Sequence, residues 1–520
     1  GQSSGNNGGG DSDSGGSSSG GGSSYTPTTP VTTEKQPNMP TVAKVSVTGT
    51  IKDTVMNVNI ITEKMAKDAI AVAEAAAKSA GTTMDGIAVQ FNKTGSGDYV
   101  SLTAAFERAA LEALKTAGVK YVQIGSNIID LTLDTKAITG ILAQTTGNIT
   151  VTATRQTKLS DAAKALIGNR PVFDIKIKDG KGVTVSNLKG GTATIGIPYK
   201  PASTEKTGSL FGVYVDGNGK PQLLTNSSYD NGKVIFGRNS LSIYGVGYKA
   251  PAPMFTDTAN HWGLDNIDFV ASRGLISGTS ATAFSPDVAI TRATFLMALG
   301  KLSSANVSGY KTSSFTDVAN TSPAMPYIEW AVQNKIVQGI GNNQFGPDRL
   351  ISRQDMAVMM VNYAKATGYT LPVSQQAVTF ADAGSISAYA KDAVKAIQQT
   401  GVINGKTGNL FDPQGNATRA EASTILRRFV ELVIDEGTAR GWVQNDAGQW
   451  QYINTNGKAV TGWLNTTEGN KYWFDDKAVM ASGKWVQIGG KWYYFDADGK
   501  LAVNTTIDGY TVGADGARKE

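Results

Sequence analysis

Three arginines occupy matched places in this chain. Arg292, Arg353 and Arg419 each follow a glycine, Gly278, Gly339 or Gly405, by fourteen residues. Between glycine and arginine each copy carries a phenylalanine (Phe284, Phe345, Phe411) and, two residues later, a proline (Pro286, Pro347, Pro413). Each copy also opens on an aspartate: Asp257, Asp317 and Asp382, in FTD, FTD and FAD. Three copies that keep these residue types in one register define an internal repeat over residues 254–435. A guanidinium is planar and permanently charged, so it can meet a carboxylate through two parallel hydrogen bonds.

Each copy reads as helix, loop, helix. The first helix is amphipathic, as over 265–273 and 391–400. The loop carries glycine, phenylalanine and proline. The second helix starts at TRAT (291–294), SRQD (352–355) and TRAE (418–421). Thr418 and Glu421 match a capping box, and Thr291 and Ser352 with Asp355 are variants of it. Capping accounts for the threonines and the glutamate, and core packing for the phenylalanines. Neither needs arginine, so the arginines are read as binding residues. They stand at the first helical position, where free N–H groups attract anions, and their loss is expected to leave folding intact.

These residues resemble the S-layer homology domain family. The marks are the FxD start, His261-Trp262, GLISG at 274–278, the F-x-P loop and TRAE. The resemblance implies an all-α, pseudo-threefold trimer of repeats (254–310, 311–378, 379–435). It implies binding of secondary cell-wall polysaccharide in grooves between repeats, often through a pyruvate ketal on N-acetylmannosamine. The residues it implicates are Arg292, Arg353, Arg419, Trp262, Asp257, Asp317, Asp382, Gly278, Gly339 and Gly405. Some positions depart from the pattern. Thr294 and Asp355 replace the glutamate of TRAE. Repeat two lacks the His-Trp pair, and repeat three has Tyr389 where Trp262 stands.

A second repeat follows. Six of the eight tryptophans lie between 442 and 492. GW at 441–442, GW at 462–463 and KW at 484–485 alternate with GQWQYI, KYWF and KWYYF. This resembles choline-binding or cell-wall-binding repeats over 437–520, which stack short hairpins into a solenoid. Aromatic cages of this kind hold quaternary ammonium by cation–π attraction. The resemblance implies one cage from Trp442, Trp450 and Trp463, and a second from Trp463 and Trp485 weakened by Lys471. Trp492 belongs to the third copy. Choline-bearing teichoic acid or another glycan is the implied partner. The same rings would also staple hairpins that have little other core.

The remaining chain positions these two arrays. Residues 1–41 read as a Gly/Ser/Pro/Thr linker, since 19 of the first 24 residues are Gly or Ser. Residues 42–147 read as an α/β or α+β module, with helices over 63–79, 101–117 and 135–143. Residues 148–250 read as a β-sandwich-like spacer. Their end, SIYGVGYK at 242–249, resembles spacer modules of large clostridial-type surface proteins.

No Cys and one His disfavour thiolate or imidazole metal sites and a His-dependent triad. No catalytic residue, cofactor or metal is expected. The net charge of +5 is spread without a basic aromatic stripe, which argues against nucleic acid. No run of 18 apolar residues suggests membrane insertion. The whole reads as a multidomain extracellular wall anchor. Its opening at Gly1 suggests a processed or truncated product, so the alternatives are the anchoring part of a wall hydrolase or glycosidase with an upstream catalytic domain, or an adhesin that binds through 42–250.

Overall fold

The computed structural model describes residues 27–251, 254–466 and 468–519. Most of the expected linker, residues 1–26, lies outside these. Its remainder is partly sheet: Val31–Glu34 runs antiparallel to Thr41–Val47, with Val31 opposite Val45.

Two mixed sheets fill residues 31–248. One has eight strands, in the order Val31–Glu34, Thr41–Val47, Ile87–Lys93, Tyr121–Gly125, Asp130–Asp134, Ala193–Pro198, Lys233–Arg238, Ser227–Asp230. The other runs Pro221–Leu224, Leu210–Val215, Ile243–Tyr248, Val172–Asp179, Ile149–Arg155, Ser101–Phe106, Val55–Ile61, Gly49–Lys52. The expected boundary between 147 and 148 therefore falls inside both sheets. Asp130–Asp134 pairs with Ala193–Pro198, and Ser101–Phe106 with Ile149–Arg155. One apolar core draws on both halves, from Val45 and Phe91 to Ile195 and Phe236. The separate α/β module and β-sandwich are replaced by a single body.

Local signals held where the helix has its own cap. Thr62 accepts from the Met65 N–H and starts the helix Glu63–Ser79, which buries Ala66, Ala69, Ala73 and Ala77. The helix expected over 101–117 is corrected. Ser101–Phe106 is a strand whose Leu102, Ala104 and Phe106 point inward. The Ser101 hydroxyl accepts the Arg155 N–H of the neighbouring strand instead of capping a helix. The helix is confined to Arg108–Thr116.

The three repeats each supply two helices: Leu264–Ser272 with Arg292–Leu302, Met325–Gln333 with Arg353–Ala366, and Lys391–Gln399 with Arg419–Ile434. They share one core, in which Phe284, Phe345 and Phe411 are fully buried. A ring of backbone hydrogen bonds closes it. The Ile290 N–H donates to Ala417 O (2.9 Å), Ala417 N–H to Ile351 O (3.0 Å), and Ile351 N–H to Ile290 O (3.2 Å).

Four two-stranded hairpins follow, the first Gly441–Gln444 with Trp450–Ile453 and the last Thr505–Ile507 with Tyr510–Val512. Each leans on an earlier one: Met480 N–H donates to Trp450 O, Leu501 N–H to Lys471 O, and Arg518 N–H to Trp492 O.

The parts are stitched together. Arg273, 9% exposed, donates to the carbonyls of Gly208, Leu210, Thr225 and Ser227, and lies between the rings of Phe211 and Phe269. Gly208 permits this approach, since a Cβ there would stand 2.0 Å from Asp265 O. On the other side Arg440 donates to Ser374 O and to Gln36 Oε1.

Two carboxyls at the first joint titrate high. Burial, offset in part by Lys206 at 3.5 Å, lifts Asp268 to about 6. Burial and the nearby Glu431 lift Asp230 to about 7. In the unfolded chain both titrate near the ordinary value of about 3.9. Between those limits the folded state binds more protons, so stability rises as pH falls from about 7 toward 4. We expect a higher Tm at pH 5.5 than at pH 7.5, and a smaller difference in Asp268→Asn. A Tm that falls over this interval would contradict the assignment.

Candidate functional site

Each second helix begins against the loop of another repeat. The Arg292 and Ala293 N–H groups donate to Arg349 O and Pro347 O of repeat two. Those of Arg353 and Gln354 donate to Gly415 O and Pro413 O of repeat three. Those of Arg419 and Ala420 donate to Val288 O and Pro286 O of repeat one. The third N–H of each helix goes to its cap, Thr291, Ser352 or Thr418. The helix N-termini are thus spent on chain carbonyls, and the expectation that they add an anion-binding element is corrected. The F-x-P proline earns its place through its carbonyl, a role that sequence pattern alone did not suggest.

The arginine side chains follow the same cycle. Arg419 donates from Nε to Phe284 O (2.8 Å) and from Nη2 to Ser277 O, with its guanidinium 4.7 Å from the Phe284 ring. Arg353 donates from Nε to Phe411 O (2.7 Å) and from Nη2 to Asn404 O (3.0 Å). Arg292 donates from Nη2 to Gln338 O (3.0 Å) and lies over the Phe345 ring. The three carbonyls Ser277, Gln338 and Asn404 immediately precede Gly278, Gly339 and Gly405. Each groove between repeats therefore joins one arginine to one glycine loop. Arg419 and Arg353 are buried and each holds two loop carbonyls of another repeat, which argues against the expectation that they are dispensable for folding.

The opening aspartates hold those loops. Asp257 accepts the N–H groups of Phe284 and Ser285, Asp317 those of Phe345 and Gly346, and Asp382 those of Phe411 and Asp412. At Asp257 and Asp317 burial pushes the carboxyl up, but the backbone donors outweigh it and leave both below the ordinary value. These residues shape the groove and are not open to a ligand through their bonded oxygens. The glycines let the opening phenylalanine pack: a Cβ on Gly278, Gly339 or Gly405 would stand 2.4, 2.7 or 2.8 Å from the ring of Phe255, Phe315 or Phe380.

Trp262 lies at the junction with the hairpins. Its ring covers Gly448, whose positive φ of 75° and missing Cβ both suit the contact. A cavity of about 220 Å³ opens there, lined by Trp262, Asp265, Arg427, Trp442 and Trp450. His261 accepts the Gly263 N–H at Nδ1 and meets Asp287 through Nε2, which supports a turn. Tyr389, in the place of Trp262 in repeat three, is exposed and donates to Asp355.

In the hairpins, Trp442 meets Trp450, Tyr452 and Tyr472 at 6.5, 5.2 and 4.8 Å between centroids. Trp463 meets Trp473 and Tyr493, and Trp485 meets Tyr494 and Tyr510. The expected trio of Trp442, Trp450 and Trp463 is joined only in its first pair. Each GW tryptophan instead stacks on the next hairpin while about 39% of Trp442 and Trp463 stays exposed. Trp450 and Trp492 are the more open rings. Arg518 lies 4.0 Å over Tyr510.

Family models match these arrays. The S-layer homology domain matches residues 255–296, 314–357 and 379–423, and the choline-binding repeat matches 479–517. The chain carries three S-layer homology domains followed by choline-binding repeat sequence. An amylopullulanase of Thermoanaerobacterium thermosulfurigenes is 34% identical over 178 residues, covering 34% of this chain and 9% of that protein. An S-layer protein of Bacillus thuringiensis subsp. finitimus is 25% identical over 33% of this chain and 20% of its own length. The chain thus spans a small part of the curated relatives it matches. The choline-binding domain of Spr1274 in Streptococcus pneumoniae is 42% identical over 16% of this chain and 95% of that one, with a TM-score of 0.15. The matched stretches are wall-binding repeats and not a catalytic domain. Among the described residues no helix is long and apolar enough to cross a membrane.

A test of the loop geometry follows from Gly339. Alanine there meets the Phe315 ring at 2.7 Å and Gln344 O at 2.8 Å. Overpacking of this kind costs roughly 1–3 kcal/mol. Urea denaturation of Gly339→Ala should show a lower midpoint with an unchanged slope. An unchanged midpoint would mean the loop is free to move.

Proposed function

We propose that this chain anchors a bacterial surface protein to the wall without a covalent bond. The S-layer homology grooves receive a carboxylate of secondary cell-wall polysaccharide, of which a pyruvate ketal is the leading form. The hairpin array adds a second attachment through choline or a glycan on its half-open tryptophans. The observation that carries this reading is the repeated junction itself: an arginine held by loop carbonyls of another repeat, two for Arg353 and Arg419 and one for Arg292, three times around one ring. Such a groove offers charge and direction to a planar anion.

A second reading concerns what is anchored. The similarity to an amylopullulanase and to exoglucanase XynX of Acetivibrio thermocellus, each over about a third of the chain, favours a carbohydrate-cleaving enzyme as cargo. The anchor would then hold that activity at the wall.

The test is co-sedimentation of the full chain with purified walls. Binding should survive to intact walls and be lost on walls stripped of non-peptidoglycan polymer. Several weak sites on one rigid body gain avidity of ~100-fold or more over a single site. Arg292→Lys with Arg419→Lys, which keeps charge and removes the planar fork, should therefore lower retention by about that factor. Equal binding to stripped walls would overturn the polysaccharide assignment.

Retention on immobilised choline, with elution by free choline, checks the hairpins separately. Replacing Trp450 with Ala should reduce that retention and leave wall binding through the grooves in place.

A further inference from the structure

The three grooves are built alike but are not occupied alike. Arg353, 1% exposed, pairs with Asp446, 2% exposed, at 2.6 Å. Asp446 belongs to the turn of the first hairpin. Its other oxygen meets Arg428 Nη1 at 2.6 Å and accepts the Asn404 N–H at 3.2 Å. Its own N–H donates to Gly405 O. A carboxylate is thus seated between two guanidinia and the N–H that precedes the loop glycine.

The same receptor recurs in the other two grooves without an internal carboxylate. The residues equivalent to Asn404 are Ser277 and Gln338. Both are exposed, whereas Asn404 is 7% exposed. Among the described residues their N–H groups have no hydrogen-bond partner, and no carboxylate lies within ion-pair distance of Arg292 or Arg419. The second cation also has counterparts. Arg428, Lys301 and Asn362 each stand nine residues after the helix-start arginine. Each donates to a carbonyl at the end of its repeat's first helix region, Val402 O, Gly274 O and Ile336 O, at 3.2, 3.1 and 3.2 Å.

We propose that the chain supplies its own carboxylate to one groove and keeps two for the wall. Asp446 is the internal ligand of the Arg353 groove, shorter in its contact than the capping Glu421 at 3.4 Å, and it locks the hairpin array to the repeats. The groove of Arg419, Lys301 and the Ser277 N–H takes a saccharide-borne carboxylate most tightly, because it repeats the two-cation arrangement. The groove of Arg292, Asn362 and the Gln338 N–H takes it more weakly, because the neutral Asn362 stands where the other two have Lys301 and Arg428. A tethered carboxylate has an effective concentration in the millimolar range, so a weak external ligand does not displace it. This inference rests on the carboxylate reading of the grooves given above.

The test is calorimetric titration of the full chain with the methyl glycoside of pyruvylated N-acetylmannosamine. Wild type should bind two equivalents, with affinities about tenfold apart, since a charge-assisted contact is worth about that much or more. Lys301→Gln should weaken the tighter site about tenfold and keep the count at two. Asp446→Asn should add a third site. No binding by wild type would overturn the carboxylate reading as a whole. One or three sites in wild type, or two sites in a folded Asp446→Asn chain, would overturn the internal ligand alone. Should Asp446→Asn fail to fold, the wild-type count and the Lys301→Gln shift decide.

Discussion

A buried guanidinium must find acceptors, and in this chain it finds them on a different repeat. Arg292 reaches repeat two, Arg353 repeat three and Arg419 repeat one. The backbone hydrogen bonds of Ile290, Ile351 and Ala417 run around the same circle. Leaving any one of these donors or acceptors unpaired in a dry core costs free energy. No single repeat can satisfy its own arginine, so the three close together or not at all. The grooves exist because of that closure, and the loop glycines and aspartates serve it.

Much of the periodic information was open to reading. The register of Gly, Phe, Pro and Arg marked the repeats, because each residue has a local steric or capping reason to recur. The helix Glu63–Ser79 was legible through its Thr62 cap and its alanine stripe. Strands such as Ile149–Arg155 were legible through alternation. What could not be read was set by partners distant in sequence. Ser101–Phe106 has helix-tolerant residues and becomes a strand because Val55–Ile61 and Ile149–Arg155 flank it. The arginines were assigned to binding because capping did not need them; their carbonyl acceptors on the next repeat are invisible to local rules. Nothing local in the sequence singles out Asp446. A sequence clue to its partner did exist in the residue nine places after each arginine, whose character changes from Lys301 to Asn362 to Arg428.

Charges in the folded chain tend to be answered from within. Asp446 sits on Arg353 and Arg428, and Arg518 covers the ring of Tyr510. The first contact falls where the repeats meet the hairpin array.

The Arg273 stitch bears on mechanics. Four carbonyls from 208–227 converge on a side chain of the first repeat, and Gly208 lets the two bodies touch backbone to backbone. Such a joint has no swivel. In the anchor proposed above, drag on the body of residues 31–248 would reach the repeats as torque as well as tension, spread over the whole prism instead of one flexible strap. The two sheets would then act as a stiff strut held at a fixed bearing to the repeats.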